Sequence, residues 1–430
     1  MSDAVPVSGG GRRLAVARLL SSAVLSQALL SAASFAVGLL LIRHTAAAQY
    51  GYYILATNAI ALLASLQNAF FGPALAMRLS RLDLAGRERL VGGLYAGQRH
   101  LLRVGAALLL ALAAALWAAG VLDAQTGPLV ITTALVASAL LLREYFRLVL
   151  LAYRRPHDVL RTDVVYVAMM LAGVWLATWS PAAATGAVFA LGLAAATSAF
   201  LLAQALRRHE PWDDEQSHGM LRSIAPLAAW STAGAAIHWG FSQGTLYLVA
   251  GTLDVTAVAA IAATRLLLMP VNLLSTGIGS LMLPLASGWL HRHGAGVLLR
   301  RLGWFALALT LVAGCYFAPL WLARDWIFTV VFKKQVAGRD ELLLLWGLVF
   351  LVIVVRDQLG YLLAAQGRFR AMTLLTLVSA VISLVASYVG MLRLGVTGAL
   401  VGILAGELLS LSGTVVLSLR RQAPPLAMAL

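Results

Sequence analysis

The sequence is poor in charge and almost without cysteine. Only 11% of its 430 residues are charged, against roughly a quarter in soluble globular proteins, so it lacks the material for a water-facing surface. The single cysteine, Cys315, lies inside an apolar run, which excludes a disulfide framework and a thiolate metal site. No GxxxxGK[ST] phosphate loop occurs, so no nucleotide-hydrolysing motor is built in. The HExxH spacing of zinc hydrolases is missing, and the pair His291 and His293 stands isolated in a short polar stretch. No Ser-His-Asp arrangement can be argued. No residue is therefore assigned as catalytic or metal-binding, no cofactor is expected, and the chain does not read as an enzyme.

What is there is apolar. Hydrophobic residues make up 61% of the chain and the mean hydropathy is +0.87. Long apolar runs recur along the whole length, each sufficient to cross a ~30 Å hydrocarbon core. The formal net charge is +15, from 32 Lys+Arg against 17 Asp+Glu. In a soluble protein that balance would suggest nucleic acid. Here the cations sit in short segments between apolar runs, as anchoring to an anionic lipid bilayer requires, and no nucleic-acid partner is expected. The first run, Leu19 to Ile42, follows Arg12, Arg13 and Arg18. It exceeds the ~7–15 residues of a signal peptide's apolar region and reads as a retained first helix.

Twelve spans are predicted: 19–42, 50–77, 101–122, 128–151, 164–181, 184–206, 224–250, 255–286, 302–323, 341–363, 371–392 and 395–419. Backbone polar groups in lipid must be satisfied internally, so these are helices. With the first terminus inside, 22 Lys and Arg fall on that side and 6 on the other. The asymmetry predicts that both termini are cytoplasmic, which an even number of spans permits.

The longest polar stretch, Arg207 to Arg222, falls at the midpoint and carries His209, Glu210, Pro211, Asp213, Asp214 and Glu215. It predicts a six-helix bundle over 1–206, a cytoplasmic linker over 207–223 and a second six-helix bundle over 224–430. The halves resemble each other. At a constant offset of 213, Arg143 aligns with Arg356, Glu144 with Asp357, Leu150 with Leu363, Ala152 with Ala365 and Arg155 with Arg368. At an offset of 207, the tetrapeptide starting at Ile54 matches the one starting at Ile261. An even number of spans in each half makes the repeats parallel. The expected fold is thus an all-α integral membrane protein of twelve transmembrane helices, in two parallel-repeat six-helix bundles around a central cleft.

Ionised groups inside spans are costly and mark pairs, cavities or interfaces. Arg143 and Arg147 lie four residues apart on one face of the fourth span, with Glu144 within reach of Arg147. Arg356 and Asp357 occupy the equivalent place on the tenth. Arg265 lies about ten residues, or ~15 Å of helix, from the outer end of the eighth. Together they suggest a cationic interior suited to an anionic cargo, because guanidinium forks match phosphate oxygens. Snorkelling to the interface is the alternative for Arg147 and, less readily, for the deeper Arg143, and a structural ion pair is the alternative for Arg356 with Asp357. His238, in the seventh span, reads as a packing histidine, a cavity ligand or a proton-coupling group. Glu407 follows Gly398, Gly402 and Gly406, a spacing for close helix contact, and reads as a contact residue or an ion site. Pro270 and Pro73 are expected to kink their helices. Asp163, at the edge of the fifth span, reads as interfacial. Ser22, Ser26, Gln27, Ser31 and Ser34 suit helix packing and cavity lining equally.

The stretch RHTAAAQYGYYILATNAIALLA, from Arg43 to Ala64, and the stretch REYFRLVLLAYRRPHDVLRTDVVY, from Arg143 to Tyr166, resemble the polysaccharide transporter and O-antigen flippase family. That family is a branch of the multidrug/oligosaccharidyl-lipid/polysaccharide exporter superfamily. The resemblance implies alternating access in a bacterial cytoplasmic membrane, with an undecaprenyl-diphosphate-linked glycan carried through a cationic cleft. Residue by residue it extends to Arg143, Glu144 and Arg147 alone. Partnership with polysaccharide polymerase machinery rests on the resemblance only. The superfamily's drug-export branch often has an acid in its first span, whereas Leu19 to Ile42 contains none. Two alternatives stay open. One is a cation-coupled small-molecule exporter of the same fold, driven by Na+ or H+ through Glu144, Asp357 or Glu407. The other is a membrane glycan polymerase or ligase, whose outward candidates are Asp325, Asp340 and Glu341.

Overall fold

In a computed structural model, residues 9–79, 82–208 and 219–419 are described, and no strand occurs among them. The middle of the expected linker, 209–218, lies outside them, as do Arg81, Arg420 and Arg421; the side chains of Arg12, Arg13 and Arg18 do too. The helices are α1 (Gly9–His44), α2 (Ala47–Arg78), α3 (Leu84–Ala118), α4 (Thr126–Ala152), α5 (Pro156–Ala177), α6 (Ala183–Arg207), α7 (Met220–Thr252), α8 (Val255–Leu266), α9 (Met269–Leu322), α10 (Arg324–Trp326), α11 (Arg339–Ala365), α12 (Phe369–Leu394) and α13 (Val396–Leu419).

Ten helices among the described residues are long and apolar enough to cross a membrane, making this a multi-pass membrane protein. The other two of the twelve expected spans are helical but differ in character. The 33-residue α7 is diluted by Ser231, Thr232, His238, Ser242, Gln243 and Thr245 and is not among the ten. The expected eighth span breaks at Leu267–Leu268, where Pro270 takes a first-turn position in α9. Its 12-residue first piece, α8, measures ~18 Å and needs the start of α9 to reach across. The loop expected over 287–301 is instead helical, interrupted at Gly294, whose φ of 77° only glycine adopts at low cost. Pro73, by contrast, lies within an unbroken α2.

The chain divides into two compact units, Met1–Ala236 and Ile237–Leu430. The boundary falls inside α7 because its first turns belong to the first unit's core. Ile224 is buried with Phe71, Tyr145, Phe146, Leu150, Leu202 and Leu206. The Arg78 guanidinium donates to the Ser223 carbonyl at 3.3 Å.

Each unit packs in the same order. In the first, α4 meets α2, α3 and α6, and α5 meets α6. In the second, α11 meets α8, α9 and α13, and α12 meets α13. Small residues admit the closest contacts. A side chain at Gly173 would strike Ala190, and one at Gly192 would strike Val136, so α6 lies tightly against α5 and α4. In the second unit the approach is tighter still. A β-carbon on Gly398 would meet the backbone of Gly390, and one on Gly402 the backbone of Ser387. The repeat is visible in the boundaries. The helices beginning at Thr126, Pro156 and Ala183 restart 213 residues later at Arg339, Phe369 and Val396.

Candidate functional site

In the first unit, the expected site residues of α4 are drawn into a buried ion cluster. Proline at the first turn starts α5 at Pro156, ahead of the apolar run, so Asp163 sits two turns inside the helix and is fully buried. Its carboxylate accepts from the Arg143 guanidinium and from the Ser26 hydroxyl of α1. Arg143, 2% exposed, also donates to Glu144 at 2.7 Å and to the Ser198 hydroxyl of α6 at 3.2 Å. Its guanidinium carbon lies 3.9 Å from the centre of the Tyr166 ring. Arg147 pairs with Asp163 at 3.5 Å and Glu144 at 3.9 Å, and donates to Ser26 at 3.3 Å. Two arginines thus face two carboxylates, and the cluster ties α1, α4, α5 and α6. Asp163, read from sequence as interfacial, is its centre. Hydropathy marks where an apolar run begins, and the polar first turns of α5 hid the true start of the helix. Both arginines end on carboxylates, Asp163 of α5 and Glu144 of their own helix. Ser22 and Ser26 pack against α5, the former with its hydroxyl 2.9 Å from His157 Nδ1.

The second unit keeps the arginine and changes its partners. Arg356, 213 residues after Arg143, donates to Asp357 at 2.8 Å and to Glu407 of α13. Position 376, the counterpart of Asp163, is a threonine, while Glu407 has alanine, Ala194, as its counterpart. One arginine here faces two carboxylates. Arg356 and Asp357 border a cavity of about 280 Å³, lined also by His238, Phe241, Tyr361, Ser410 and Thr414. His238 is exposed, and the aromatic face of Phe241 lies 5.9 Å from the Arg356 guanidinium carbon. The structure therefore gathers His238, Arg356, Asp357 and Glu407, which the sequence scatters over three helices.

Arg265 belongs to neither cluster. At the end of α8 it donates to the side-chain oxygen of Gln243 on α7 at 3.0 Å and lies 5.3 Å from the centre of the Trp346 ring. Trp346 in turn donates its indole N–H to the Ile261 carbonyl at 3.1 Å, fixing the ring between α11 and α8. Gln243 and Trp346 carried no sequence signal beyond their type.

The outward candidates of the enzyme alternative are occupied. Arg339 pairs with Asp325 and, at 3.4 Å, with Asp340; Arg324 pairs with Asp340 at 3.3 Å. Glu341 accepts from the Thr397 hydroxyl at 3.0 Å. Among the described residues, no group of three or more His, Cys, Asp or Glu is placed to hold a metal.

No protein-family model and no curated protein matches the sequence. Solved structures do match the fold. One is an inward-facing conformation of a multidrug resistance MATE family transporter of the MOP superfamily. It is 13% identical, with a TM-score of 0.75, over 90% of this chain and 93% of that one. The outward-facing conformation of such a transporter matches with a TM-score of 0.67 at 13% identity, over 94% of both chains. The lipid II flippase MurJ, in an inward closed conformation, matches with a TM-score of 0.72 at 9% identity, over 91% of this chain and 86% of that one. At these identities the likeness is one of fold, and it is the fold that the resemblance implied.

Proposed function

We propose that this chain is a flippase of the MOP superfamily that moves an undecaprenyl-diphosphate-linked oligosaccharide from the cytoplasmic to the outer leaflet of a bacterial inner membrane. The carrying observation is a fold shared over nine-tenths of the chain with a lipid II flippase, in which spanning helices retain buried or half-buried arginines. Two features favour an anionic lipid-linked cargo over a cationic drug. Helix α1 contains no Asp or Glu. Arg265, held between Gln243 and Trp346, offers a planar fork that suits phosphate oxygens.

The two ion clusters take different parts in this reading. The balanced cluster around Asp163 positions four helices and does not touch cargo. Arg143 and Arg147 act through it, and this narrows the cargo-binding role to Arg265. The cluster around Arg356, with its extra carboxylate and adjoining cavity, serves coupling. The same cluster favours a second reading, a cation-coupled small-molecule exporter. The polymerase or ligase reading is the weaker one, because two of its three candidate carboxylates, Asp325 and Asp340, are ion-paired.

The test is the leaflet distribution of lipid-linked saccharides in cells carrying wild type, Arg265→Gln or Glu407→Gln at matched membrane levels. Both variants are expected to hold the intermediate on the cytoplasmic leaflet, with outward flux lowered at least tenfold. Normal outer-leaflet delivery by Arg265→Gln would remove the cargo role. Normal delivery in cells lacking the protein would remove the flippase reading altogether.

A further inference from the structure

Asp357 has an oxygen that its counterpart in the first unit does not leave open. There, Glu144 bridges two arginines: Oε1 accepts from Arg143 at 2.7 Å, and Oε2 faces Arg147 at 3.9 Å. Asp357 keeps only the first of these partners. Its Oδ1 accepts from Arg356 through Nε at 3.1 Å and Nη2 at 2.8 Å, while Oδ2 receives no donor among the described residues. The cause is a single exchange of residue. Position 360, the counterpart of Arg147 at the offset of 213, is glycine.

The room that the missing side chain leaves stays open. A β-carbon added at Gly360 would meet no neighbouring atom within 4 Å. Gly360 and Asp357 both line the cavity of about 280 Å³, as does Thr376, which stands in place of Asp163. The lining is thus built from the counterparts of Arg147 and Asp163, the ion pair that closes this place in the first unit. Its size is near the lower end of the ~300–1,000 Å³ of small-molecule sites and far above the ~30 Å³ of one water.

Charge says what kind of molecule enters. One arginine faces two carboxylates here, so an excess negative charge stands among spanning helices, where an unbalanced ion is costly. The Asp357 side chain is 35% exposed and lines the cavity, so a partner entering it can reach Oδ2. The rings of Phe241 and Tyr361 on the same lining suit the flank of a cation. An anion has no seat, because Arg356 is already engaged by Asp357 and Glu407.

We infer that this cavity binds a small organic cation with N–H donors, an alkylguanidinium or a primary alkylammonium, which takes the place of the absent arginine and donates to Asp357 Oδ2. The inference rests on the coupling role proposed for the Arg356 cluster only in naming the class of its occupant; the geometry is that of the second unit alone.

Titration calorimetry of the purified full chain with butylguanidinium tests it, at about pH 8, where an ordinary imidazole such as that of His238 is neutral. Wild type is expected to bind the probe saturably, and to bind tetramethylammonium, which has the charge without a donor, much more weakly. Asp357→Asn should lower the affinity about tenfold, the low end for removing one partner of a charge pair that is part exposed. Gly360→Arg should abolish binding and unfold at a higher temperature than Gly360→Met, because both fill the room and only arginine supplies the missing charge. No saturable binding by wild type, unchanged affinity in Asp357→Asn, or Gly360→Arg no more stable than Gly360→Met would overturn the assignment. Displacement of the probe by sodium chloride but not by choline chloride would also overturn it, reassigning the cavity to an alkali cation. Binding is measured here without transport, so a failed leaflet assay would remove the flippase reading and leave this site standing.

Discussion

Asp163→Asn asks most directly whether the first unit's ion cluster holds the bundle together. Two arginines and two carboxylates balance there, and the Arg143 and Asp163 side chains are 3% and 0% exposed. Removing the Asp163 charge leaves one uncompensated positive charge in a largely buried cluster. Breaking a buried pair from one side costs about 3–5 kcal/mol, because the surviving ion stays desolvated. Asparagine still offers an oxygen to Arg143, which places it toward the lower figure. Alanine removes the acceptor from both Arg143 and Ser26 and belongs at the upper one. The double variant Asp163→Asn with Arg147→Gln restores neutrality. Residues in one network couple by about 0.5–3 kcal/mol, and the double variant should recover part of the loss. The assay is the temperature at which half of the detergent-solubilised protein remains monodisperse. The expected order, from most to least stable, is wild type, double variant, Asp163→Asn, Asp163→Ala. If Asp163→Asn matched wild type, or if the double variant lost the full sum of its single changes, the cluster would not be the tie described here.

Two further outcomes follow from packing and capping. Gly402→Val should prevent α13 from seating on α12, since even a β-carbon there meets the Ser387 backbone; loss of monodisperse protein on size-exclusion chromatography is the readout, and a normal profile would contradict the contact. Asp254 caps α8 by accepting from the Ala257 N–H at 2.6 Å and from the Thr256 hydroxyl at 2.7 Å, and these bonds hold its carboxyl below the ordinary value. Its folded-state pKa is depressed, so its contribution is complete above the ordinary carboxylate pKa and fades as pH falls through the lowered one. Asp254→Ala should cost about 0.5–2 kcal/mol at neutral pH, seen as faster amide exchange in the first turn of α8, and the difference from wild type should vanish in strong acid.

How much could be read beforehand depended on where the signal lay. The repeat was legible because it is written in spacing: the offset of 213 that pairs Arg143 with Arg356 also relates both ends of α4 to both ends of α11. The glycine series before Glu407 was legible because close approach demands small residues at helical intervals. Asp163 was not, since the apolar pattern of α5 begins after it while the helix begins before it. Nor was the continuity of α9, where the charged stretch around His291 to Arg301 looks like a loop although all but Gly294 is helical. The partners of Arg356 were out of reach for a different reason. Its counterpart in the first unit draws its second acid from α5, whereas Arg356 draws on α13, and pairwise alignment of the halves carries no information about that exchange.

The contact of α12 with α13 has a practical consequence for watching this protein move. Where Gly398 and Gly402 meet the backbones of Gly390 and Ser387 there is no side-chain layer to rearrange, so the two helices are expected to travel as one plank. Probes on their exposed faces, at Val385 and Val416 for example, should then report a separation that stays constant through a working cycle. That fixed separation is a ruler carried inside the molecule, against which displacement of every other helix in the second unit can be scaled.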